Sequence, residues 1–483
     1  MFDTIHNNRK YKNLVNGHWI ESTSETLDII SPLDGKVVGS VPAMSQSEVN
    51  VAIQSAKTAQ AQWANVPIDQ KTQILYKTAS LLVEHADELA HILMFEVGKD
   101  LKSAKGEIIR TADLIRSTAN HANVLTGESI VGDNYPGGVK NKMAFTARVP
   151  LGVVLAISPF NYPINLAASK IAPAILAGNA VVFKSATQGA VSAMCMVRCF
   201  EMAGVPAGIL NTVTGYGREI GDYIVSHKDI AFINFTGSTP VGENIARLAG
   251  MKPLMMELGG KDAAIVLADA DLAYTADQIV SGAYSYAGQR CTAVKRVLVD
   301  ATVADELSRL IEEKVECLTW GNPAIDTVDV VPLIDEKSAI FVEALINDAI
   351  AKGGKLLIGG EREGNLVQPT LIDHVTTDMR LAWEEPFGPV LPIIRVQDVY
   401  EAIHIANQSE YGLQSSVFTK DIDKAFYVAE RLEVGAVQIN NKTERGPDTF
   451  PFTGVKGSGV GVQGIKYSIE AMTRIKATVL NRR

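Results

Sequence analysis

Cys291 stands in the run Gly288-Gln-Arg290-Cys291-Thr, a thiol directly beside a guanidinium. A free thiol with a pKa of about 8.5 is only a few per cent thiolate at neutral pH, and a neighbouring cation or helix N-terminus raises that fraction. Two other segments carry groups of the kinds that work beside a nucleophile. Ser158-Pro-Phe-Asn161-Tyr162-Pro offers an amide, and Met256-Glu257-Leu-Gly-Gly-Lys261 a carboxylate. Singly, Cys291 reads as a core thiol, Asn161 as a turn residue and Glu257 as a surface carboxylate at a strand end. Their joint presence invites a chemical reading.

A place for an anion is written in Ile233-Asn-Phe235-Thr-Gly237-Ser238-Thr-Pro240-Val-Gly242, where a strand runs through a glycine turn into a helix. Pro240 suits the first helical turn, and Ser238 lies where a hydroxyl and free N–H groups meet negative charge. The run Gly215-Tyr-Gly217-Arg-Glu-Ile-Gly221 is one residue too long for the dinucleotide fingerprint and reads as a turn and helix start.

The elements that must position these groups follow from periodicity. Apolar runs at Val153–Ile157, Val181–Lys184, Ile209–Val213, Ile230–Phe235 and Ala264–Leu267 alternate with helical patterns at Asn165–Leu176, Val191–Met202 and Val241–Leu248. This is a doubly wound parallel α/β series. A second series follows Cys291, with strands near Arg296–Val299, Leu391–Val396, Gln414–Phe418 and Ala436–Ile439. Residues 48–120 are mostly helical by pattern, with Trp63 on the buried face. The alternating stretches Met143–Val149 and Thr473–Leu480 fit no domain interior, and Ile475, Ala477 and Val479 would share one face. Read as exposed edges they predict a homo-oligomer; the alternative is pairing within the chain.

Composition narrows the function classes. With 483 residues and 47% hydrophobic content the chain has material for two or three domains. A net charge of −9 without a basic run disfavours a nucleic-acid surface. The apolar stretch Ile171 to Phe183 is broken by Pro173, Gly178 and Asn179 and falls short of the ~20 residues that cross a bilayer, so no membrane span is expected. The first ten residues lack a signal-peptide pattern, and four cysteines in so long a chain form no disulfide framework; a cytoplasmic location is expected. Cys195 and Cys199, at helical spacing in an apolar run, read as core thiols, and no metal site is expected.

Together with Phe235-Thr-Gly-Ser238 and Glu384-Glu385-Pro-Phe387-Gly-Pro in the same order, the three chemical segments make the chain resemble the aldehyde dehydrogenase superfamily from about residue 10 to its end. The resemblance implies an α/β fold with two parallel α/β domains, a Rossmann-type cofactor domain (1–124 and 148–260) and a catalytic domain (261–460), plus a small β oligomerisation element (125–147 and 468–483), assembled as a tetramer. It implies that Cys291 is the nucleophile, that the Asn161 amide and the cysteine N–H hold the oxyanion, and that Glu257 is the base for hydrolysis of a thioester on Cys291. Removing one oxyanion donor typically costs about 3–4 kcal/mol of transition-state stabilisation. Relatives that pass the acyl group to coenzyme A usually lack the carboxylate, so an acid product is expected.

For the coenzyme, the resemblance matches Lys184 to the lysine at the adenosine ribose, Glu385 to a ligand of the nicotinamide ribose, Phe387 to the residue beside the ring, and Phe235, Gly237 and Ser238 to the turn at the phosphates. NAD-preferring members commonly carry a glutamate at the Thr187 position. A carboxylate there would oppose a 2′-phosphate by up to about 4 kcal/mol at ~4 Å and an effective dielectric of about 20. Threonine removes that repulsion, and NADP is expected. Some relatives carry Pro-Pro where this chain has Ser185-Ala186, a departure beside the coenzyme positions.

For the substrate, the positions that should reach the tunnel are cationic or polar: Arg110, Tyr162, Arg290 and Arg445. Arginine's planar fork suits phosphate oxygens. With the stretches Thr376-Thr-Asp-Met-Arg-Leu-Ala-Trp and Lys466-Tyr-Ser-Ile-Glu-Ala-Met-Thr, the chain is similar to the non-phosphorylating, NADP-dependent glyceraldehyde-3-phosphate dehydrogenase branch. The implied reaction is irreversible oxidation of D-glyceraldehyde 3-phosphate to 3-phosphoglycerate. Two rival readings stand beside it: a dehydrogenase of another anionic aldehyde such as succinate semialdehyde, and a catalytically silent binding protein on the same scaffold.

Overall fold

The computed structural model describes residues 1–22 and 25–482. Thr23 and Ser24, within the expected 1–124 segment, and Arg483, the last residue of the expected 468–483 element, lie outside the described residues.

One sheet has the spatial order Leu210–Val213, Ala180–Lys184, Val153–Ile157, Ile230–Thr236, Leu254–Glu257 and Gly459–Val460. Its first five strands are parallel and the last is antiparallel. These strands read as nearly continuous apolar runs because helices bury them on both faces. The chain leaves Val153–Ile157 for a neighbour on one side and later returns on the other, and the crevice at that reversal is where doubly wound sheets bind ligands. Helices Gln46–Trp63, Ile68–Glu84, Ala86–Val97 and Leu101–Asn120 account for the periodic pattern of 48–120. Trp63 is buried and donates its indole N–H to Ile175 O at 2.9 Å, tying the first helix to Asn165–Leu176.

The second sheet runs Lys355–Ile358, Thr370–Asp373, Val390–Val396, Arg296–Asp300, Ala263–Val266, Gln414–Phe418 and Ala436–Ile439. The run Ala264–Leu267, expected to continue the first series, instead lies inside this sheet between Arg296–Asp300 and Gln414–Phe418. Strand pattern alone does not say which sheet an element joins. Each sheet has its own buried apolar cluster. Cys195 and Cys199 lie inside the first, as core thiols.

The two edge-like stretches pair with one another: Thr473–Asn481 lies antiparallel along Lys142–Pro150 from Thr473↔Pro150 to Asn481↔Lys142, with Ser129–Val131 on the far side. Intrachain pairing thus accounts for one edge of each. The outer edge of Thr473–Asn481 has no strand beside it among the described residues, and Ile475 and Val479 on it are exposed. No described helix is long and apolar enough to cross a membrane.

Candidate active site

Asn161 follows the C-terminal end of Val153–Ile157, and Glu257 ends Leu254–Glu257, so both ride on the first sheet. Cys291 comes from the second unit, in the turn between helix Leu272–Tyr284 and strand Arg296–Asp300. That turn is tight. Tyr286 and Ala287 adopt left-handed φ values of 53° and 52°, and a Cβ on Gly288 would stand 2.4 Å from Gly388 O. Residues held in such conformations persist only where surrounding structure fixes them. Here Tyr286 Oη donates to Val97 O at 2.8 Å and Lys295 Nζ to Cys291 O at 2.5 Å.

Asn161 is buried and donates from Nδ2 to Gln289 O at 2.9 Å, which joins the two units two residues before Cys291. An amide nitrogen carries two N–H groups, so a second donor remains. Asn161 and Cys291 line one cavity of about 870 Å³. Burial pushes the Cys291 thiol up to about 11; Lys295 and Arg445 pull it down and Glu257 and Asp262 raise it further. Of the sources of activation open from the sequence, a neighbouring cation such as Arg290 or a helix N-terminus, the largest lowering charge is a cation, but it is Lys295; Arg290 Nη2 donates to Gly282 O at 2.5 Å.

Glu257 is buried behind the cavity wall. Arg445 Nη1 reaches its two carboxylate oxygens at 3.0 and 3.3 Å, and Thr236 Oγ1 donates to it at 3.3 Å. Lys170 Nζ, lowered to about 7 chiefly by burial, donates to the same hydroxyl at 2.7 Å. Arg445 in turn lies 3.5 Å from Asp448, which accepts from Arg110 Nε and Nη2 at 3.0 and 2.9 Å. The result is a chain of alternating charge, Glu257–Arg445–Asp448–Arg110. Tyr162 packs edge-on to Tyr286 at 6.2 Å.

The outer part of the cavity carries Lys184, Phe235, Gly237, Ser238, Glu385 and Phe387, as expected from sequence. Glu385 Oε1 accepts from Gly260 N at 3.1 Å and pairs with Lys295 at 2.8 Å. A Cβ on Gly259 would come within 2.4 Å of Glu385 Oε2, so the Gly-Gly step gives this carboxylate its room. Phe387, with a left-handed φ of 47°, packs edge-on to Phe160 at 6.0 Å. Helix Thr239–Ala249 has Ser238 as its N-cap and Pro240 in its first turn, and the Ser238 side chain makes no capping bond. Burial lowers the Lys184 ammonium to about 8, and its one hydrogen bond among the described residues is to Ser185 O at 3.4 Å. Ser158 Oγ and Ser185 Oγ, both buried on the wall, have no partner among the described residues. An ammonium without a carboxylate, two unpartnered hydroxyls and an uncapped helix N-terminus fit a polyanionic, hydroxyl-bearing ligand, and a dinucleotide phosphate with its riboses is such a ligand. Thr187 is exposed and stands just off the wall, after the lining residue Ala186.

Sequence reasoning missed several wall residues. Gly217, Arg218 and Gly221 of the set-aside glycine run line the cavity, as do Asp222 and Asn244. The run does form a turn and a helix start, but it also contributes wall. Its glycine richness after a strand was the available signal, discounted on spacing. Lys170 and Asp448 had no local signal, because each matters through a partner remote in sequence, whereas Lys295 stands only four residues after Cys291 and was passed over.

The model of the aldehyde dehydrogenase family matches residues 19–478, and the chain belongs to that family. Among its relatives, the NADP-dependent glyceraldehyde-3-phosphate dehydrogenase of Streptococcus equinus is 55% identical, covering 98% of this chain and 99% of the relative. The enzyme of the same name from Pisum sativum is 50% identical over 98% of this chain and 95% of its own. The crystal structure of NADP-dependent glyceraldehyde-3-phosphate dehydrogenase from Bacillus halodurans C-125 complexed with NADP superposes with a TM-score of 0.96 at 57% identity, covering 98% and 99% of the two chains.

Proposed function

We propose that this chain is a non-phosphorylating aldehyde dehydrogenase that oxidises glyceraldehyde 3-phosphate irreversibly to 3-phosphoglycerate with NADP. The observation that carries the substrate is the pair of arginines, Arg110 and Arg445, held together by Asp448, with Arg445 on Glu257 and among the charges that lower the Cys291 thiol. Relatives at 50–55% identity over nearly their full length are named NADP-dependent glyceraldehyde-3-phosphate dehydrogenase, which supports the coenzyme and the aldehyde.

Cys291 Sγ attacks the carbonyl carbon, and the oxyanion is met by the free N–H of Asn161 Nδ2 and the Cys291 backbone N–H. When bound, the dinucleotide supplies the acceptor for hydride. Lys184, Ser238 and the hydroxyls of Ser158, Ser185 and Thr187 would hold its adenosine half, Glu385 and Phe387 its nicotinamide half. The acyl group remains on Cys291 as a thioester, and Glu257 takes a proton from the water that cleaves it. Glu257 must leave Arg445 to do so. A substrate phosphate offers Arg445 a replacement anion. Arg290 and Tyr162 complete the substrate wall in this reading.

The division into a cofactor domain (1–124 and 148–260), a catalytic domain (261–460) and an oligomerisation element (125–147 and 468–483) belongs to the same proposal. So does a homotetramer in the cytoplasm, supported by the open edge of Thr473–Asn481 and by four free cysteines.

The test is NADPH absorbance with glyceraldehyde 3-phosphate, with and without inorganic phosphate, against succinate semialdehyde. Equal rates with and without phosphate, and faster turnover of the phosphorylated aldehyde, are expected. Signal that requires phosphate, or equal turnover of both aldehydes, overturns the reading.

A further inference from the structure

Lys99 is 1% exposed, in the short link between helices Ala86–Val97 and Leu101–Asn120. Its ammonium donates to Asn161 O at 2.8 Å and to the Glu107 carboxylate, and it lies 3.7 Å from the centre of the Tyr162 ring and 4.7 Å from that of Tyr286. Glu107, equally buried, uses its other oxygen to accept from Ile164 N and Asn165 N, both at 3.0 Å. Those N–H groups begin helix Asn165–Leu176 and have no acceptor within the helix. A buried ion pair is a costly way to fill space, since well-packed apolar side chains are often as stable or more so. This one touches segments that the reaction must bring together.

We infer that Lys99, with Glu107 as its counter-ion, is a positioning residue for the oxidation, setting the Asn161 amide and the Tyr162 ring against Cys291. The inference rests on the reading of Asn161 as an oxyanion donor. The pair grips the chain at three backbone atoms between residues 161 and 165, and Asn161 Nδ2 then reaches Gln289 O at 2.9 Å. Tyr286, against which the ammonium also lies, belongs to the left-handed turn that delivers Cys291. The cysteine itself is held from elsewhere, by Lys295 on its carbonyl. The sulfur therefore has one support of its own, Lys295, beyond the turn that the ammonium touches. Arg110 sits one helical turn beyond Glu107, so the same helix carries the clamp and a proposed substrate arginine.

That second support predicts separable effects. Removing Lys99 alone would strand the Glu107 carboxylate, so the test uses the double variant Lys99→Met/Glu107→Gln, in which both charges go and a carbonyl remains for Ile164 and Asn165. Three quantities are read: the burst rate of NADPH formation from glyceraldehyde 3-phosphate, the rate of Cys291 alkylation by iodoacetamide, and NADP affinity by quenching of tryptophan fluorescence. The burst should slow at least tenfold, while alkylation and NADP affinity stay within twofold of the parent, because alkylation forms no oxyanion. A burst within twofold of the parent overturns the inference. So does a slower burst matched by equal losses in alkylation and NADP binding, which would make the pair a support of the fold alone. If the double variant fails to fold, Glu107→Gln alone decides, with a several-fold slower burst expected and an unchanged one overturning. Asn161→Ala in the same assay separates the two claims. A normal burst there would sink the oxyanion reading, whereas a slow burst there beside a normal one in the double variant would sink only the role of Lys99.

Discussion

The cavity and the charged network behind its wall would each meet an anion, in opposite states of preparation. At the end proposed for the adenosine half, among the described residues, Lys184 has no carboxylate partner, Ser158 and Ser185 keep unpartnered hydroxyls, and Ser238 makes no capping bond at its helix N-terminus. At the substrate end every proposed player is already spoken for: Glu257 by Arg445, Arg445 also by Asp448, and Asp448 by Arg110. The first end is a preformed receptor whose polar groups gain partners on binding. The second is a neutralised network in which an arriving anion must exchange with resident carboxylates. Binding at the first end should therefore follow the charge of Lys184, while binding at the second should follow the competition between substrate and protein carboxylates.

The largest effect should come from the end that exchanges partners. Glu257→Gln is expected to lower steady turnover by about 10²–10⁴-fold while a single burst of NADPH per site survives, measured by stopped-flow absorbance. Loss of the burst would mean that the carboxylate serves the attack of Cys291 as well, and the network would have to be read as part of acylation. Next, Arg110→Gln should reduce kcat/KM for the phosphorylated aldehyde by about 10–100-fold, the worth of a hydrogen bond to a charged group, and leave an uncharged aldehyde of similar length unaffected. Arg110 is the better target because Arg445 is more deeply buried, and stripping its partner from Glu257 would cost about 3–5 kcal/mol of stability. An equal loss for both aldehydes would show that Arg110 only braces Asp448.

The smallest effect is a pH dependence at the prepared end. The Lys184 ammonium, lowered to about 8 by burial, is charged below that pH and neutral above it. A bound 2′-phosphate favours the charged form, so NADP affinity should be full below pH 8 and fall by about tenfold between pH 7 and pH 9, with a flatter profile for NAD. Titrations of both coenzymes across that range read it directly. Parallel profiles would place the 2′-phosphate away from Lys184 and remove the contrast between the two ends.

Much of the scaffold was legible in the chain. Val153–Ile157, Asn165–Leu176 and Gln414–Phe418 have the bounds that apolar periodicity assigns, because burial on both faces leaves an uninterrupted signature, and Ala436–Ile439 keeps its assigned bounds although it is half-buried at the sheet edge. Lys355–Ile358 and Thr370–Asp373 escaped notice as short strands in a stretch rich in turns, and periodicity strung Ala264–Leu267 onto the first series although the domain bounds drawn from the resemblance put it with 261–460. The wall residues of the glycine turn at 235–238 were readable because a strand, a glycine and a helix start are consecutive in sequence. Arg290 shows the complementary case: it adjoins Cys291 in sequence, yet its guanidinium donates to Gly282 O and the largest lowering charge on the thiol is Lys295.

What the amino-acid order determined by itself was the set of reacting groups and the local elements that carry them, since helix, strand and turn preferences act over a few residues. What only the folded chain decided was pairing. Arg445 neutralises a carboxylate 188 positions away and Arg110 one 338 positions away, and the cation that most lowers the Cys291 thiol is Lys295 rather than its neighbour. Electrostatic interaction depends on separation in space and on exclusion of water, neither of which is written along the sequence.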